Sequence, residues 1–408
     1  DCSSRGLGDV YKRQPLQFNC HNGDLHMTHT IENEGFTLQA LMRKVQDQAA
    51  RSQDFLVPTD QAFYKTSEYA EDKNISGIIL EGQGGEPTRH LQVNDVAFDQ
   101  IATRAGIDVR TARRLQSSYP EEWDGLVNAI WQNEPVTRMI RTHMNDERFG
   151  IARAFVSDKF KTFDNVHLIE TVLPELMESD AQWKIQNADI TEKRLYARFK
   201  SETILGEGAN VGDIMALGIG ISNSEVGQGS IQVFQINWTL ACLNGMQTQN
   251  RSRSSHITSA RGDDDTWSIL SDEAKNADNA ALGLKLRDIT RNYASRESFD
   301  AVLEQMKAAA GDVIEGTYTQ GAVEQLGKVL AIPKKQTSTI FDGLLSTIGQ
   351  SGYEQGQPIS RATLMNAVTA CANNAEADHV DDWQRLGGDV LNMSPANWAS
   401  VSRASIAA

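Results

Sequence analysis

Four strand-like runs follow one another closely in the middle of the chain, and they constrain the fold more than any other feature. Trp183–Ile190 and Arg194–Lys200 lie close together and predict a hairpin. Ile214–Ser222 and Ile231–Leu243 follow, and Ile151–Val156 precedes them as a further strand. Short apolar runs bounded by turn residues are typical of neighbouring strands. The middle of the chain therefore predicts an antiparallel sheet.

Helical patterns lie on both sides of this sheet. An amphipathic helix is predicted around Leu38–Ala50, and residues 89–145 repeat apolar side chains at helical spacing. Thr266–Gln325 reads as helical again. The tail shows one helix, Arg361–Asn374, and a glycine-marked end at Gly387-Gly388. The predicted fold class is α+β, with a helical N-terminal part, a central antiparallel sheet with packed helices, and a helical C-terminal part.

Changes of composition divide the chain into six expected segments. Residues 1–26 include Asp9–Gln14, which resembles a translated transposase-adapter end, so Met27 is the expected first residue. The other expected segments are an acidic N-terminal segment (27–88), a helical subdomain (89–145), a central α+β core (146–262), a helical region (263–332) and a C-terminal tail with one helix (333–408).

Charge excludes a protein coated in positive potential, because 39 basic residues face 54 acidic ones and the formal net charge is −15. The distribution is uneven. Residues 89–261 contain 19 basic and 21 acidic side chains, whereas 262–408 contain 12 and 20. A polyanion would therefore bind the middle of the chain.

Cysteine use and hydropathy bound the location. Beyond Met27 only Cys242 and Cys371 remain, which gives neither a disulfide framework nor a zinc spacing. A cytoplasmic setting fits best. No apolar stretch reaches the ~20 residues that span a bilayer, so no membrane partner is expected. Nucleotide-binding glycine motifs, HExxH and GxSxG do not occur, and no cofactor is predicted.

Phe98–Leu115 has the spacing of a helix-turn-helix, with Gly106 at the turn and three arginines on the second helix. Cations at Arg110, Arg113 and Arg114 could meet DNA phosphates. Two short helices joined by a glycine turn also occur in helical domains that bind no DNA, so both interpretations stay open.

The densest polar cationic run lies in the middle of the chain, at Arg251–His256. A flexible loop that presents Arg251, Arg253 and His256 suits phosphate contact, because guanidinium groups offer planar bidentate donors. The alternative is a solvated loop between a strand and a helix.

Acidic side chains at the ends of one strand run suggest a second kind of site. Asp213 and Glu225, with Asp158 or Asp164 assisting, could supply oxygen ligands to Mg²⁺ in a phosphodiesterase. The sequence around Asn223–Gly227 is also ordinary turn chemistry, and the spacing matches no established metal motif.

Several stretches together resemble the bacterial phage/plasmid-like family of unknown function. They are Ala152–Asn165, Gly212–Gly227 with its NSEVG run, Ala241–Met246 and Leu364–Ala372. At Trp238 the chain differs from this family, whose members usually have an arginine at the corresponding position. The order of elements is also similar to the core of Rad/Erf-type single-strand annealing proteins, and that resemblance implies a basic groove for single-stranded nucleic acid.

Such a groove needs a cationic track with aromatic support. Strand alternation places Arg194, Tyr196, Arg198 and Lys200 on one face, with the residues between them toward a core. Charged side chains also line the solvated face of most antiparallel sheets, so this interpretation has a plain rival. The candidate nucleic-acid contacts are Arg153, Lys159, Lys161, Lys184, Arg194, Arg198, Lys200, Arg251, Arg253 and His256.

The sequence thus favours a non-enzymatic protein that binds single-stranded DNA as an annealing accessory in the recombination or replication of a mobile element. Self-association of the chain is compatible with this role. A metal-dependent phosphodiesterase built on Asp213 and Glu225 is the enzymatic alternative. A structural or interaction protein is the third, and size-exclusion behaviour separates it from a ring-forming annealing protein.

Overall fold

The computed structural model of the chain describes residues 38–67, 75–82, 84–208, 214–239, 244–254, 270–348 and 358–406. These residues form two β-sheets with helices before, between and after them, so the predicted α+β class is confirmed. No helix within the described ranges combines the length and the apolar character that crossing a membrane requires.

The first sheet has six strands within the described ranges, in the order β1-β5-β6-β4-β3-β2. All of its pairs are antiparallel except β4 with β6, which run parallel. The strands are β1 Ser52–Pro58, β2 Ala62–Ser67, β3 Ile75–Leu80, β4 Arg89–Val93, β5 Thr137–Met144 and β6 Phe149–Ser157.

The three helices between β4 and β5 pack on one face of this sheet, whereas the helix before β1 contributes Leu41 and Val45 to the core of the second sheet. α1 (Leu38–Arg51) precedes the sheet, and three helices connect β4 to β5: α2 Asp95–Arg104, α3 Val109–Ser118 and α4 Pro120–Asn133. Asn94 and Asp108 cap α2 and α3 by accepting hydrogen bonds from backbone amides. Gly106 turns the chain between them with a φ of 73°, a conformation that glycine adopts without strain. The expected boundaries at 88/89 and 145/146 therefore cut through one sheet, because β1–β3, β4–β5 and β6 pair with one another.

The second sheet has five strands within the described ranges, in the order β11-β10-β9-β8-β7, and every pair is antiparallel. The strands are β7 Trp183–Ile190, β8 Leu195–Glu207, β9 Ile214–Asn223, β10 Ile231–Thr239 and β11 Asn244–Ser254.

α5 (Asn165–Glu178) and α6 (Asp272–Tyr293) cover one face of the second sheet. Leu195, Ala197 and Phe199 of β8 are buried there, as the alternation predicted. Burial of such side chains stabilises the fold by about 1.5–3 kcal/mol for each large one.

The C-terminal part is more helical than its sequence indicated. Its helices are α7 Arg296–Gly311, α8 Thr319–Val329, α9 Lys334–Ile348, α10 Arg361–Ala370, α11 Ala377–Leu391 and α12 Pro395–Arg403. The expectation of one helix after residue 333 is therefore wrong, although Arg361–Asn374 is confirmed as α10 followed by a short 3₁₀ turn.

Gly387-Gly388 lies inside α11 and does not end it. These glycines let the helix approach β11 closely, because a Cβ at Gly388 would collide with the backbone carbonyl of Gln247. A glycine pair in a helix interior costs about 1 kcal/mol per residue in helix propensity. Tertiary packing outweighs that cost here, and the sequence pattern alone could not reveal it.

Candidate anion-binding site

The predicted cations of the second sheet lie on the face opposite α5 and α6. Paired residues on neighbouring strands share a face, so two rows cross this side of the sheet. The first row is Asn187, Arg198, Gly220, Phe234 and Arg251, and the second is Asp189, Tyr196, Ser222, Gln232 and Arg253. Arg198, Arg251 and Arg253, from two strands at different positions in the sheet, therefore lie on one side of it.

Arg198 is not available to a ligand, because α11 supplies its counter-ion. Its side chain is 2% exposed, and its Nη2 lies 2.5 Å from Oδ1 of Asp381. The same carboxylate oxygen accepts from Gln247 at 3.1 Å, and Tyr196 donates to Asp378 at 3.2 Å. The expectation that Arg198 contacts nucleic acid is wrong, since carboxylates from a helix remote in sequence neutralise this part of the face.

Other predicted contacts are engaged within the protein. Arg153 is buried and pairs with Glu225, so it also fails as a nucleic-acid contact. Arg194 donates through Nε to the backbone oxygen of Gln228 at 2.8 Å. Lys161 lies 3.5 Å from Asp278, and Lys184 pairs with Glu202. Each of these pairs reduces the positive charge that the side chain offers to solvent.

Two predicted lysines are half-buried at the surface, Lys159 and Lys200. His256 lies outside the described residues, as does Asp213. Arg251 and Arg253 belong to β11, so the expected flexible loop is a strand at least as far as Ser254. The sequence did not predict a strand here because β11 is polar. Its pairing with β10 depends on backbone hydrogen bonds and not on an apolar pattern.

The remaining arginines meet in a pocket between β11 and α11. The pocket has a volume of about 380 Å³, and its lining residues are Gln247, Thr248, Arg251, Arg253, Arg385, Gly388 and Asp389. We call it the arginine pocket. Arg253 is held by a 3.0 Å hydrogen bond from its Nε to the hydroxyl of Ser230, and Arg385 lies 3.0 Å from Asp389.

The lining of the arginine pocket holds three guanidinium groups and one carboxylate, Asp389. Two further carboxylates lie close by, since Asp381 acts on Arg251 and Asp382 lies 3.9 Å from Arg385. Burial lowers the pKa of Arg251, and the neighbouring charges of Arg385 and Arg253 lower it further. Burial also raises the pKa of Asp389 against the opposing effect of Arg385 and Arg251. Burial is the main cause of both shifts, and Asp381 and Asp389 partly offset the lowering at Arg251. An anion bound here would reduce the repulsion of Arg251 by Arg385 and Arg253.

Sequence reasoning found Arg251 and Arg253 but missed Arg385 and Asp389. The spacing of the missed pair on one helix face was visible, since the two residues are four apart. Nothing in the sequence indicated that this helix lies beside β11.

The NSEVG run is a structural joint between the two sheets. Asn223 donates to the backbone oxygen of Phe163 at 2.8 Å, and Ser224 donates to that of Lys193 at 2.6 Å. Glu225 accepts from Arg153 of β6 at 2.9 Å and from the amide of Asn165 at 2.7 Å. Gly227 completes the turn with a φ of 75°. The motif therefore connects the turn after β9 to the first sheet and to the start of α5.

This geometry removes Glu225 as a metal ligand, because both of its oxygens are occupied by donors of the protein. Asp164 is engaged in the same way, with Oδ1 2.6 Å from Nη2 of Arg141. Among the described residues, no group of three His, Cys, Asp or Glu side chains could hold a metal ion. The phosphodiesterase hypothesis thus loses Glu225 and Asp164, two of its three candidate acids among the described residues.

The helix-turn-helix candidate corresponds to α2 and α3. Arg113 pairs with Asp95 at 2.9 Å and with Asp99 at 2.5 Å, so it fastens α3 to α2. Arg110 and Arg114 are exposed on α3. Packing therefore accounts for one of the three arginines, and the other two stay open to solvent.

Comparisons of the chain with family models, curated proteins and solved structures found no match. The chemistry of the arginine pocket therefore carries the functional conclusion.

Proposed function

We propose that this chain binds single-stranded nucleic acid through phosphate contacts in the arginine pocket, as a non-catalytic accessory in annealing or recombination. The observation that supports this most is the convergence of Arg251, Arg253 and Arg385 on one cavity of about 380 Å³ in a chain of net charge −15. Clustering like charges costs free energy, and a bound polyanion would offset that cost.

Phosphate suits these side chains better than a carboxylate ligand does. Each guanidinium group can donate two parallel hydrogen bonds, and a phosphate diester offers acceptors in more than one direction. The pocket volume lies at the small end of the ~300–1,000 Å³ typical of ligand sites, so it suits one phosphate with its neighbouring sugar. Longer chains would continue along β11 and away from α11, whose exposed Asp382 would repel phosphate.

We place the protein in the cytoplasm of a bacterial host, where single strands arise during replication of a mobile element. Annealing by such a protein would involve several copies, and size-exclusion chromatography with and without oligonucleotide would report their assembly.

The direct test compares two double substitutions that remove the same charge. Arg251→Ala with Arg253→Ala should weaken binding of a labelled single strand of about 30 nucleotides at about 50 mM salt. Arg110→Ala with Arg114→Ala on α3 serves as the matched control and should bind like the unchanged protein. Asp389→Asn should act in the opposite direction and tighten binding, since it removes a carboxylate from the pocket lining.

Salt dependence gives a second measure of the same contacts. Three phosphate contacts predict a slope of log K against log salt of about −2 for a single strand, and the pocket variant should retain about a third of it. Absence of binding at micromolar protein would overturn the proposed function. An equal loss in the α3 control would move the site to the helix-turn-helix.

A further inference from the structure

Among the described residues, no element covers one face of the first sheet at β2, β3 and β4, and the arginine pocket does not involve this face. At β5 and β6 the same face packs against the turn that carries Glu225 and Val226. Tyr64, Ile78 and Leu91 point toward the helices on the other side and are buried. The residues that alternate with them point away from those helices. These residues lie on β2, β3, β4 and β6, which are adjacent in the sheet.

Register places these outward residues in two straight rows. The first row, which we call the aromatic row, is Phe63, Ile79, His90 and Phe149. The row beside it is Lys65, Gly77, Gln92 and Ile151. Neighbours within a row are directly opposed across strands, so their side chains form one continuous surface.

The aromatic row is open to solvent. Phe63 is 50% exposed and Phe149 is 43% exposed, values far above those of the phenylalanines in the cores. The ring of His90 stacks on that of Phe149, with 5.6 Å between centroids and 24° between planes. Exposed aromatic side chains held on a rigid sheet are costly to leave in water, and aligned ones mark a binding surface.

Charge and polarity distinguish the occupant of this surface. The two rows hold one lysine and no carboxylate, in a chain with 54 acidic and 39 basic residues. Lys65 and Gln92 flank Gly77, whose missing side chain leaves space between them. Planar rings beside amide and ammonium donors match the faces and edges of nucleobases.

We propose that the aromatic row is a stacking platform for the bases of single-stranded nucleic acid, with Phe63 and Phe149 as the stacking residues. The inference rests on the proposed function for the identity of the polymer, but it uses no residue of the arginine pocket. Phe63 and Phe149 lie three strand spacings apart, or about 14 Å, so the two rings hold different bases. Lys65 lies beside the platform and can meet a phosphate of the same strand.

The test uses two labelled probes of equal length, an oligothymidylate and an abasic deoxyribose-phosphate strand. The platform variants are Phe63→Ala with Phe149→Ala, and Phe63→Leu with Phe149→Leu, which keep apolar bulk without the ring. Tyr119→Ala with Tyr318→Ala is the matched control, because these tyrosines are 51% and 40% exposed and lie outside the rows. Circular dichroism melting of each variant checks that it folds.

Both platform variants should bind oligothymidylate at least about tenfold more weakly, because one base stacked on an aromatic ring contributes about 1–3 kcal/mol and 1.4 kcal/mol is a factor of ten. Their binding to the abasic strand should equal that of the unchanged protein, since the arginine pocket reads phosphate alone. The tyrosine control should change neither affinity.

Three results would overturn the platform. Equal binding of both probes by the unchanged protein would refute stacking while leaving phosphate binding in place. Leucine variants that bind oligothymidylate like the unchanged protein would show that apolar contact suffices without a ring. If, in addition, the alanine variants alone lose self-association, the face would be assigned to a second copy of the chain. Failure to bind either probe would remove the proposed function together with this inference.

Discussion

Substitution of Glu225 by alanine tests whether the joint between the two sheets stabilises the fold. The Glu225 side chain is 4% exposed and that of its partner Arg153 is 10% exposed. Removing one member of a buried pair leaves an uncompensated charge, which costs about 3–5 kcal/mol. The amide of Asn165 also loses its acceptor. We expect the free energy of unfolding to fall by about 3–5 kcal/mol, a large part of the 5–15 kcal/mol typical of folded proteins.

Urea unfolding followed by circular dichroism measures this loss. Glu304→Ala is the matched control, because Glu304 also pairs with a cation, Lys307 at 2.9 Å, but both side chains are largely open to solvent. An exposed pair of this kind contributes about 1 kcal/mol or less. The double variant Arg153→Met with Glu225→Leu should recover most of the stability, because it removes both charges together.

One result of the urea experiment would contradict this prediction. If Glu225→Ala and Glu304→Ala shift the unfolding midpoint equally, the joint carries no special stability. The hydrogen bonds of the NSEVG run would then have to be explained by something other than stability of the fold.

Two further predictions follow from burial. Desolvation and the charge of Arg153 lower the pKa of His143 to about 2 in the folded protein. Because the unfolded chain protonates His143 at a higher pH, the free energy of unfolding should fall as the pH drops below about 6.5, by up to about 1.4 kcal/mol per pH unit. His143→Gln should flatten the change in urea midpoint between pH 7 and pH 5, and an unchanged slope would contradict the assignment. Gly388→Ala should destabilise the protein by about 1–3 kcal/mol, because the new methyl group would collide with Gln247. Gly125→Ala, in open space on α4, should stabilise the protein by about 0.5–1 kcal/mol. Thermal melting compares the two variants.

The second sheet could be predicted from sequence because its strands alternate or run apolar over many residues. β7 was predicted with its observed bounds, Trp183–Ile190, and β9 and β10 began at the expected residues. β5 was missed because it lies in the stretch 89–145 that was predicted to be helical. β1 to β4 were missed as well. They are short, and the residues on one of their faces, such as Phe63 and Ile79, do not follow the usual apolar-in, polar-out pattern.

The arginine pocket shows why a site is harder to predict than a strand. Arg251 and Arg253 were recognised from local composition, but the counter-ion of Arg198 comes from Asp381, which is 183 positions away in the sequence. Ion pairs depend on distance in the folded protein and not on separation in the sequence. Arg198 was therefore predicted to contact a ligand, whereas it forms an internal ion pair. Arg385 reaches the pocket through the same long-range contact of α11 with β11.

The 183 positions between Arg198 and Asp381 also determine the order in which the two residues are synthesised. A ribosome releases β8 long before α11 exists, so the newly made sheet carries a guanidinium at Arg198 without its carboxylate until the last part of the chain emerges. Nascent chains of this protein should therefore present Arg198 to solvent and to any polyanion while the 183 positions that separate it from Asp381 are made. In the folded protein Asp381 of α11 pairs with Arg198 and buries it, so this affinity for a polyanion is lost.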